Sequence, residues 1–215
     1  MESVLSTDVG NSVVEVVEVT SISPFILSLI ILILGLVVVL LLGYMNLFNA
    51  LVKARQKVKE AWSGIEVQLK RRYDLIPNLV NVVKGYATHE QDTLEKVIQA
   101  RTGAISVPEG DIAGQAQAEN MLSQTLKSIF ALSESYPDLK ANENFLELQK
   151  EITNTEDQIA ASRRIYNGNV TYLNTKIESF PSNLVAQAHK FQMEEFFELD
   201  ASEKVEANKT PKVSF

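Results

Sequence analysis

The longest feature in the hydrophobic pattern is an uncharged stretch from Val19 to Val52, with "FILSLIILILGLVVVLLLGYMNLF" (residues 25–48) at its centre. At about 1.5 Å rise per residue, a helix of this segment is about 36 Å long, enough to cross a hydrocarbon core of about 30 Å. Its start is marked by Ser23 as a candidate N-cap and by Pro24 at the first helical position. The pattern predicts a transmembrane helix over residues 24–48.

Two other structures fit an apolar run of this kind. The buried core helix of a soluble protein is one, but the uncharged stretch is too long to favour it. A cleaved signal peptide is the other, and it is disfavoured because an acidic region precedes the run and no small-x-small cleavage site follows. We therefore expect a signal anchor that is retained.

The remainder of the chain carries helical periodicity. Apolar positions recur three and four residues apart in two long segments, and the second keeps a seam of the coiled-coil kind over about 35 residues. The predicted bundle core consists of Trp62, Ile65, Leu69, Tyr73, Ile76, Val80, Phe145, Leu148, Ile152, Ile159, Tyr166, Leu173 and Ile177.

Between and after these segments we expect a small-residue-rich helix over Asp111–Glu134 and a further helix near Leu184–Leu199, with Ser182 as its cap. No segment alternates as a half-buried strand does. The predicted fold class is all-α, with an N-terminal transmembrane helix followed by an antiparallel helical bundle of the four-helix type. The expected divisions are a short acidic segment (1–23), the transmembrane helix (24–48), the bundle (49–199) and an extended tail (200–215).

A proline interrupts the first periodic segment. Pro77 inside a helix removes one hydrogen bond and clashes with the preceding turn, at a cost of about 3 kcal/mol. If Asp74 acts as an N-cap, Pro77 falls in the first turn of a new helix, where free N–H groups lack partners anyway. The sequence therefore predicts either a helix restart at Asp74 or a kink at Pro77.

Charge predicts how the chain is oriented. Residues 1–24 contain four acidic residues and no Lys or Arg, whereas the segment 53–72 contains seven basic residues. The basic flank of a transmembrane helix stays in the cytoplasm. We therefore expect a single-pass protein of the bacterial inner membrane with its N-terminus outside and its large C-terminal part inside.

Composition narrows the chemistry. The net charge of −7 argues against nucleic acid as a partner of the whole chain, and the absence of cysteine removes disulfides, thiolate metal sites and thiol nucleophiles. His89 lies in "HEQDT", which lacks the second histidine of a zinc helix, and His189 is isolated. No catalytic residue, metal ligand or cofactor is predicted.

Basic residues supply the remaining candidates. Just past the predicted span, the side chains of Lys53, Arg55, Lys57 and Lys59 are placed to contact anionic lipid head groups, although a role in setting topology alone would also explain them. Two arginine pairs, Arg71–Arg72 and Arg163–Arg164, have two interpretations. They either hold an anionic ligand or partner, or form ordinary salt bridges with nearby carboxylates, and we favour the second.

Several long motifs resemble those of a known family. "EAWSGIEVQLKRRYDLIPNLVNVVKGYATHE", "SESYPDLKANENFLELQKEI", "RRIYNGNVTYLNTKIESFPSN" and the ending "PKVSF" are similar to the LemA family of bacterial single-pass membrane proteins. The resemblance implies a four-helix-bundle cytoplasmic domain behind an N-terminal anchor, and no established enzymatic activity. Relatives associated with magnetosomes link the family to membrane organisation, by analogy alone.

The sequence thus leads to two functional hypotheses. The first is a membrane-anchored, non-enzymatic scaffold or adaptor, whose expected partners are the lipid bilayer, anionic phospholipid, and copies of itself or other membrane proteins. The second is a sensor that binds an anionic ligand or lipid head group through the paired arginines. The sequence alone leaves open whether the terminal Val-Ser-Phe is recognised by a partner.

Overall fold

The computed structural model describes residues 23–198 and contains six helices in that range. They are α1 (Pro24–Tyr86), α2 (Gln91–Ile105), α3 (Ile112–Ser133), α4 (Pro137–Lys140), α5 (Glu143–Glu178) and α6 (Ser182–Ala188). No strand occurs among these residues, so the all-α prediction is confirmed for them. The predicted acidic segment 1–23, apart from Ser23, and the predicted tail 200–215 lie outside the described residues.

The chain divides into two compact units, one ending at Met45 and the other beginning at Asn46. The first unit, over its described part, is the apolar beginning of α1. It is long and apolar enough to cross a membrane, and none of its most apolar window is buried within the protein. An apolar helix with no protein around it is stable only in an apolar solvent, which weighs against the alternative of a soluble core helix.

In the second unit, α1 and α5 run antiparallel. The Asn169 side chain on α5 donates to the Lys57 carbonyl on α1 (3.1 Å). Nearly thirty residues further along α1, the Tyr86 hydroxyl accepts from the Asn142 side chain at the start of α5 (2.9 Å). Residue numbers on α5 therefore decrease as those of their partners on α1 increase, as in an antiparallel bundle.

Local sequence explains where the helices begin. The Asp111 carboxylate caps α3 by accepting from the Gly114 N–H (2.8 Å), and the Asn142 side chain caps α5 by accepting from the Phe145 N–H (3.0 Å). Each cap satisfies one of the N–H groups that a helix start leaves without a partner. A break between α1 and α2, at residues 87–90, was not predicted.

The buried apolar side chains form two clusters. Nine members of the predicted core are buried, and the other four, Trp62, Tyr73, Leu148 and Ile177, are partly buried and pack against the clusters. On α1 the change from one cluster to the other falls between Leu69 and Ile76, and on α5 it falls between Ile152 and Ile159. Between these positions the buried residues are polar, Arg72 on α1 and Thr155 on α5, so a polar level separates the two clusters.

The prediction at Asp74 is wrong in one of its two forms. α1 continues without interruption through Pro77, so no helix restarts at Asp74, and a bend at Pro77 stays a prediction. The proline leaves the Tyr73 carbonyl, four residues earlier, without its helical partner. That carbonyl accepts instead from the Arg101 guanidinium of α2 (2.8 Å), so a tertiary hydrogen bond compensates for part of the proline's cost.

The predicted helix over Leu184–Leu199 is also wrong in extent. α6 ends at Ala188, Lys190 adopts a positive φ of 54°, and residues 191–198, here named the strap, are not helical. Ser182 is the first helical residue and not the cap; its hydroxyl donates back to the Lys176 and Ser179 carbonyls. Side chains of α5 hold the strap backbone and so replace the hydrogen bonds of a longer helix.

Candidate functional site

A buried ion pair occupies the level between the two apolar clusters. The side chain of Arg72 on α1 is 2% exposed, and that of Glu119 on α3 is 1% exposed. The Arg72 guanidinium donates to the Glu119 carboxylate. Two desolvated charges are stabilised when each meets the other and the remaining polar atoms find hydrogen bonds; of the Arg72 guanidinium, Nη1 and Nη2 find partners and Nε finds none among the described residues.

Further polar groups surround this pair. Arg72 Nη1 donates to the Ser123 hydroxyl (2.9 Å) and lies 3.4 Å from the Glu156 carboxylate of α5. The Tyr73 hydroxyl donates to Glu119, and the Gln115 amide donates to the same carboxylate at 2.7 Å. One network therefore connects α1, α3 and α5, with Arg72 and Glu119 buried and its other members partly buried; we call Arg72, Glu119, Ser123, Glu156, Tyr73 and Gln115 the polar layer.

The electrostatics follow from burial. Burial lowers the pKa of the Arg72 guanidinium, and the Glu156 carboxylate opposes this effect. Burial likewise raises the pKa of the Tyr73 hydroxyl, and the charge of Arg72 opposes it. An arginine stays charged at every physiological pH, so Arg72 provides a permanent positive charge for the carboxylates of the polar layer. The arrangement is suited to holding three helices in register.

The four predicted arginines do not form one site. Arg71 is exposed and pairs with Glu151 on α5, whereas Arg72 is buried in the polar layer. Arg72 and Arg163 line a cleft of about 210 Å³ that Lys127, Glu156 and Asp157 also line. Arg163 and Arg164 line a second cleft beside Phe196 and Phe197. Arg71 and Arg72 thus each form an ion pair with a carboxylate on another helix.

The predicted lipid-contact residues have unequal surroundings. Lys53, Lys57 and Lys59 are exposed, whereas Arg55 is partly buried and its guanidinium lies 4.9 Å from the centre of the Phe191 ring. A cation over an aromatic face is attracted by the ring quadrupole. Arg55 therefore helps to hold the beginning of the strap.

Two asparagines on α5 bind the strap through its backbone. Asn174 accepts from the Glu194 N–H and donates to the Glu194 carbonyl, both at 3.0 Å. Asn167 makes the same pair of hydrogen bonds with Phe197, at 3.0 and 3.1 Å. The two asparagines are seven residues apart and so lie on one face of α5.

Aromatic packing completes the attachment of the strap. The side chain of Phe197 is fully buried and meets the Trp62 ring edge-on, with ring centres 5.5 Å apart. The Tyr166 hydroxyl donates to the Glu195 carbonyl (2.9 Å), and burial raises the pKa of that hydroxyl to about 12, with Glu194 and Glu195 adding to the shift. The strap is therefore an integral part of the bundle.

Sequence reasoning missed Glu119 and the strap. Glu119 occupies a position in the apolar series of α3 (Ala116, Leu122, Leu126), and Arg72 lies at the core spacing between Leu69 and Ile76. A charged residue at a core position of each of two helices was the available signal for a buried pair. Within the described range, no group of three His, Cys, Asp or Glu side chains is placed to hold a metal ion.

Comparisons with known proteins agree on one family. A family model described as the LemA family matches residues 61–215. The chain is similar to Protein LemA of Metamycoplasma hominis, with 28% identity over 165 residues that cover 77% of this chain and 75% of that protein.

Magnetosome proteins also match. The chain is 22% identical to Magnetosome protein MamQ 2 of Paramagnetospirillum magneticum over 175 residues, and 25% identical to Magnetosome protein MamQ of Magnetospirillum gryphiswaldense over 174. Each match covers 70% of this chain and 64% of the relative, so it spans slightly less than two thirds of these magnetosome proteins. None of these names is that of an enzyme.

Proposed function

Given that the chain belongs to the LemA family and is a membrane-associated helical protein, we propose that it acts as a membrane-anchored, non-enzymatic scaffold that associates with copies of itself. The apolar part of α1 is the anchor, at the inner membrane of a bacterium, and the bundle lies on the cytoplasmic side. Lys53, Lys57 and Lys59, all exposed just past the span, support this orientation. A part in membrane organisation belongs to the proposal, supported by the magnetosome names of relatives.

An exposed stripe on α5 is the observation that carries the proposal. Ile165 is 62% exposed and Tyr172 is 52% exposed, and Gly168 lies between them. The spacing of three and four residues places all three on one face of the helix. Large apolar side chains grouped on a helix face in this way are typical of an interaction surface.

A second copy of the chain fits this stripe. A side chain at Gly168 would meet no atom within 4 Å, so the backbone of another helix can approach closely there, between the two large side chains. The anchor also confines copies to one membrane, which raises their effective concentration without any new contact. Two copies related by a two-fold axis that passes near Gly168 would place Gly168 beside the other Gly168 and Ile165 close to the other Ile165.

The polar layer supports a non-enzymatic role. Its charged groups bond one another across three helices and occupy the interior, where a buried network fixes helix register. These polar groups therefore serve to hold the helices in position.

Disulfide cross-linking tests the association. Because the chain has no cysteine, Ile165→Cys creates a single thiol, and mild oxidation in native membranes should give a covalent dimer. Thr153→Cys is the matched control: it is also exposed on α5 but lies twelve residues before Ile165, about 18 Å along the helix at about 1.5 Å rise per residue, and it should stay monomeric. Equal cross-linking of the two variants, or none of either, would contradict the proposed interface.

The alternative, a sensor of anionic ligands, has one observation in its favour. Arg72, Arg163 and Lys127 line the same cleft of about 210 Å³. The carboxylates of Glu156 and Asp157 line it too and repel an anion, so we rank this function second. It requires inorganic phosphate to raise the melting temperature of the full chain, and Lys127→Gln to abolish that rise.

A further inference from the structure

The turn after α5 carries the most exposed large apolar side chain in the described part of the chain. Phe180 is 80% exposed, and Leu184, four residues later, is 59% exposed. Apolar side chains this exposed, four residues apart where the turn leads into α6, are typical of a surface that meets another apolar phase.

Hydrogen bonds and core packing fix the conformation of this turn. The Ser182 hydroxyl, which is buried, donates to the Lys176 carbonyl at 2.7 Å, and the Asn183 N–H donates to the Ser179 carbonyl at 2.8 Å. Val185 and Ala186 are buried in the bundle core. The exposure of Phe180 and Leu184 therefore results from an ordered turn that presents them outward.

The same end of the bundle contains the last residue of the predicted span. The Phe48 ring lies 4.6 Å from the His189 ring just after α6, and 6.2 Å from the Phe191 ring. Phe48 is the last residue of the span predicted over 24–48. Since the chain is continuous, Phe48 stays close to the point where the apolar helix leaves the bilayer, and the residues packed on Phe48 stay close to it as well.

Charge at this end of the bundle fits a lipid surface. Lys176 and Lys190 flank α6, and the Arg55 guanidinium packs on Phe191, whereas Glu178 is the acidic residue of the turn region. Anionic lipids attract basic residues near the membrane surface, and aromatic side chains are favoured at the depth of the head groups.

We propose that Phe180 and Leu184 insert into the head-group region of an anionic bilayer, so that the bundle contacts the membrane at a second place besides its anchor. This contact is independent of the α5 stripe. Two points of attachment limit the orientations of the bundle relative to the membrane surface.

Site-specific fluorescence tests this contact in the full chain. Phe180→Cys and Leu184→Cys each create a single thiol for an environment-sensitive fluorophore, in protein reconstituted into vesicles of phosphatidylcholine and phosphatidylglycerol. Lipids with brominated acyl chains should quench most of the fluorescence at both positions, and aqueous iodide should quench little.

Two matched variants define the limits of the measurement. Leu146→Cys, 47% exposed near the start of α5, lies about 50 Å from the turn at the other end of that helix, at about 1.5 Å rise per residue, and should be quenched by iodide alone. Leu34→Cys, within the apolar span, should be quenched by brominated lipid and shows that the anchor is inserted.

Quenching of positions 180 and 184 by iodide, as at position 146, would overturn the proposed contact. Protection from both quenchers would also overturn it, since it would indicate a protein partner at the turn. Neither result bears on the dimer proposed through Ile165, so failure of one proposal can be told from failure of the other.

Discussion

Removing the charge of Arg72 is the sharpest perturbation of this bundle. In the variant Arg72→Met, the Glu119 carboxylate, 1% exposed, loses the cation that balances it. Truncating one partner of a buried pair costs about 3–5 kcal/mol, because the other charge stays desolvated and uncompensated. For a chain of this length, about 2–4 °C of melting temperature is lost per kcal/mol, so the expected decrease is roughly 6–20 °C.

The neighbouring arginine provides a matched control. Arg71 precedes Arg72 on the same helix and pairs with Glu151, but both side chains are at least 40% exposed. An ion pair of this kind contributes about 0–1 kcal/mol, since water screens the charges and solvates whichever one remains. Arg71→Met should therefore lower the melting temperature by only a few degrees.

A double variant separates charge from packing. Arg72→Met with Glu119→Leu removes both charges and leaves apolar side chains of similar size, which is often neutral or stabilising. The double variant should thus be more stable than either single variant. This non-additivity is the specific signature of an uncompensated buried charge.

The assay is thermal or denaturant unfolding of the full chain in mild detergent, followed by the fluorescence of Trp62. This tryptophan is the single one in the sequence, and it packs on Tyr166 (5.4 Å between ring centres) and Phe197 in the second unit. It therefore reports on the bundle and not on the apolar span. Equal losses for the Arg71 and Arg72 variants, or additive losses in the double variant, would refute the reasoning.

Three further predictions concern the strap and the proline. Phe197→Ala should lower the free energy of unfolding by about 3–5 kcal/mol, because a fully buried aromatic ring is lost. Phe196→Ala, at a side chain 40% exposed, should lower it by less than about 1 kcal/mol, and similar losses for the two variants in urea unfolding would contradict the difference in burial. The pKa of Tyr166 is raised to about 12 from an ordinary 10, so its contribution to stability is complete below pH 10 and is lost as the pH rises towards 12. The melting temperature of Tyr166→Phe should therefore fall less than that of the parent over this interval, and a parallel fall of the two would contradict the prediction. Pro77→Ala should raise the free energy of unfolding or leave it unchanged, because the N–H group that the substitution introduces can bond the Tyr73 carbonyl in place of Arg101. For the same reason, Arg101→Met should cost less stability in the Pro77→Ala background than alone, and an equal cost in both would mean that Arg101 and the new N–H do not compete.

Local sequence patterns determined much of the secondary structure of this protein. The apolar run in α1, the start of α3 at Asp111 and the length of α5 follow from hydrophobic periodicity and capping chemistry, which depend on neighbours in the sequence. The family likewise follows from long local motifs, and the matched family model confirms it.

The tertiary structure decided the rest, because those features depend on partners far apart in the chain. The residues that neighbour Arg72 in the sequence do not indicate that Glu119 and Glu156 will contact it. Likewise, no residue within 191–198 disfavours the helix that the composition of this segment favours. Asn167 and Asn174 oppose it by bonding the strap backbone. A helix end is a balance of a few hydrogen bonds, so side chains supplied by a distant helix can shift it, and only the fold brings them there.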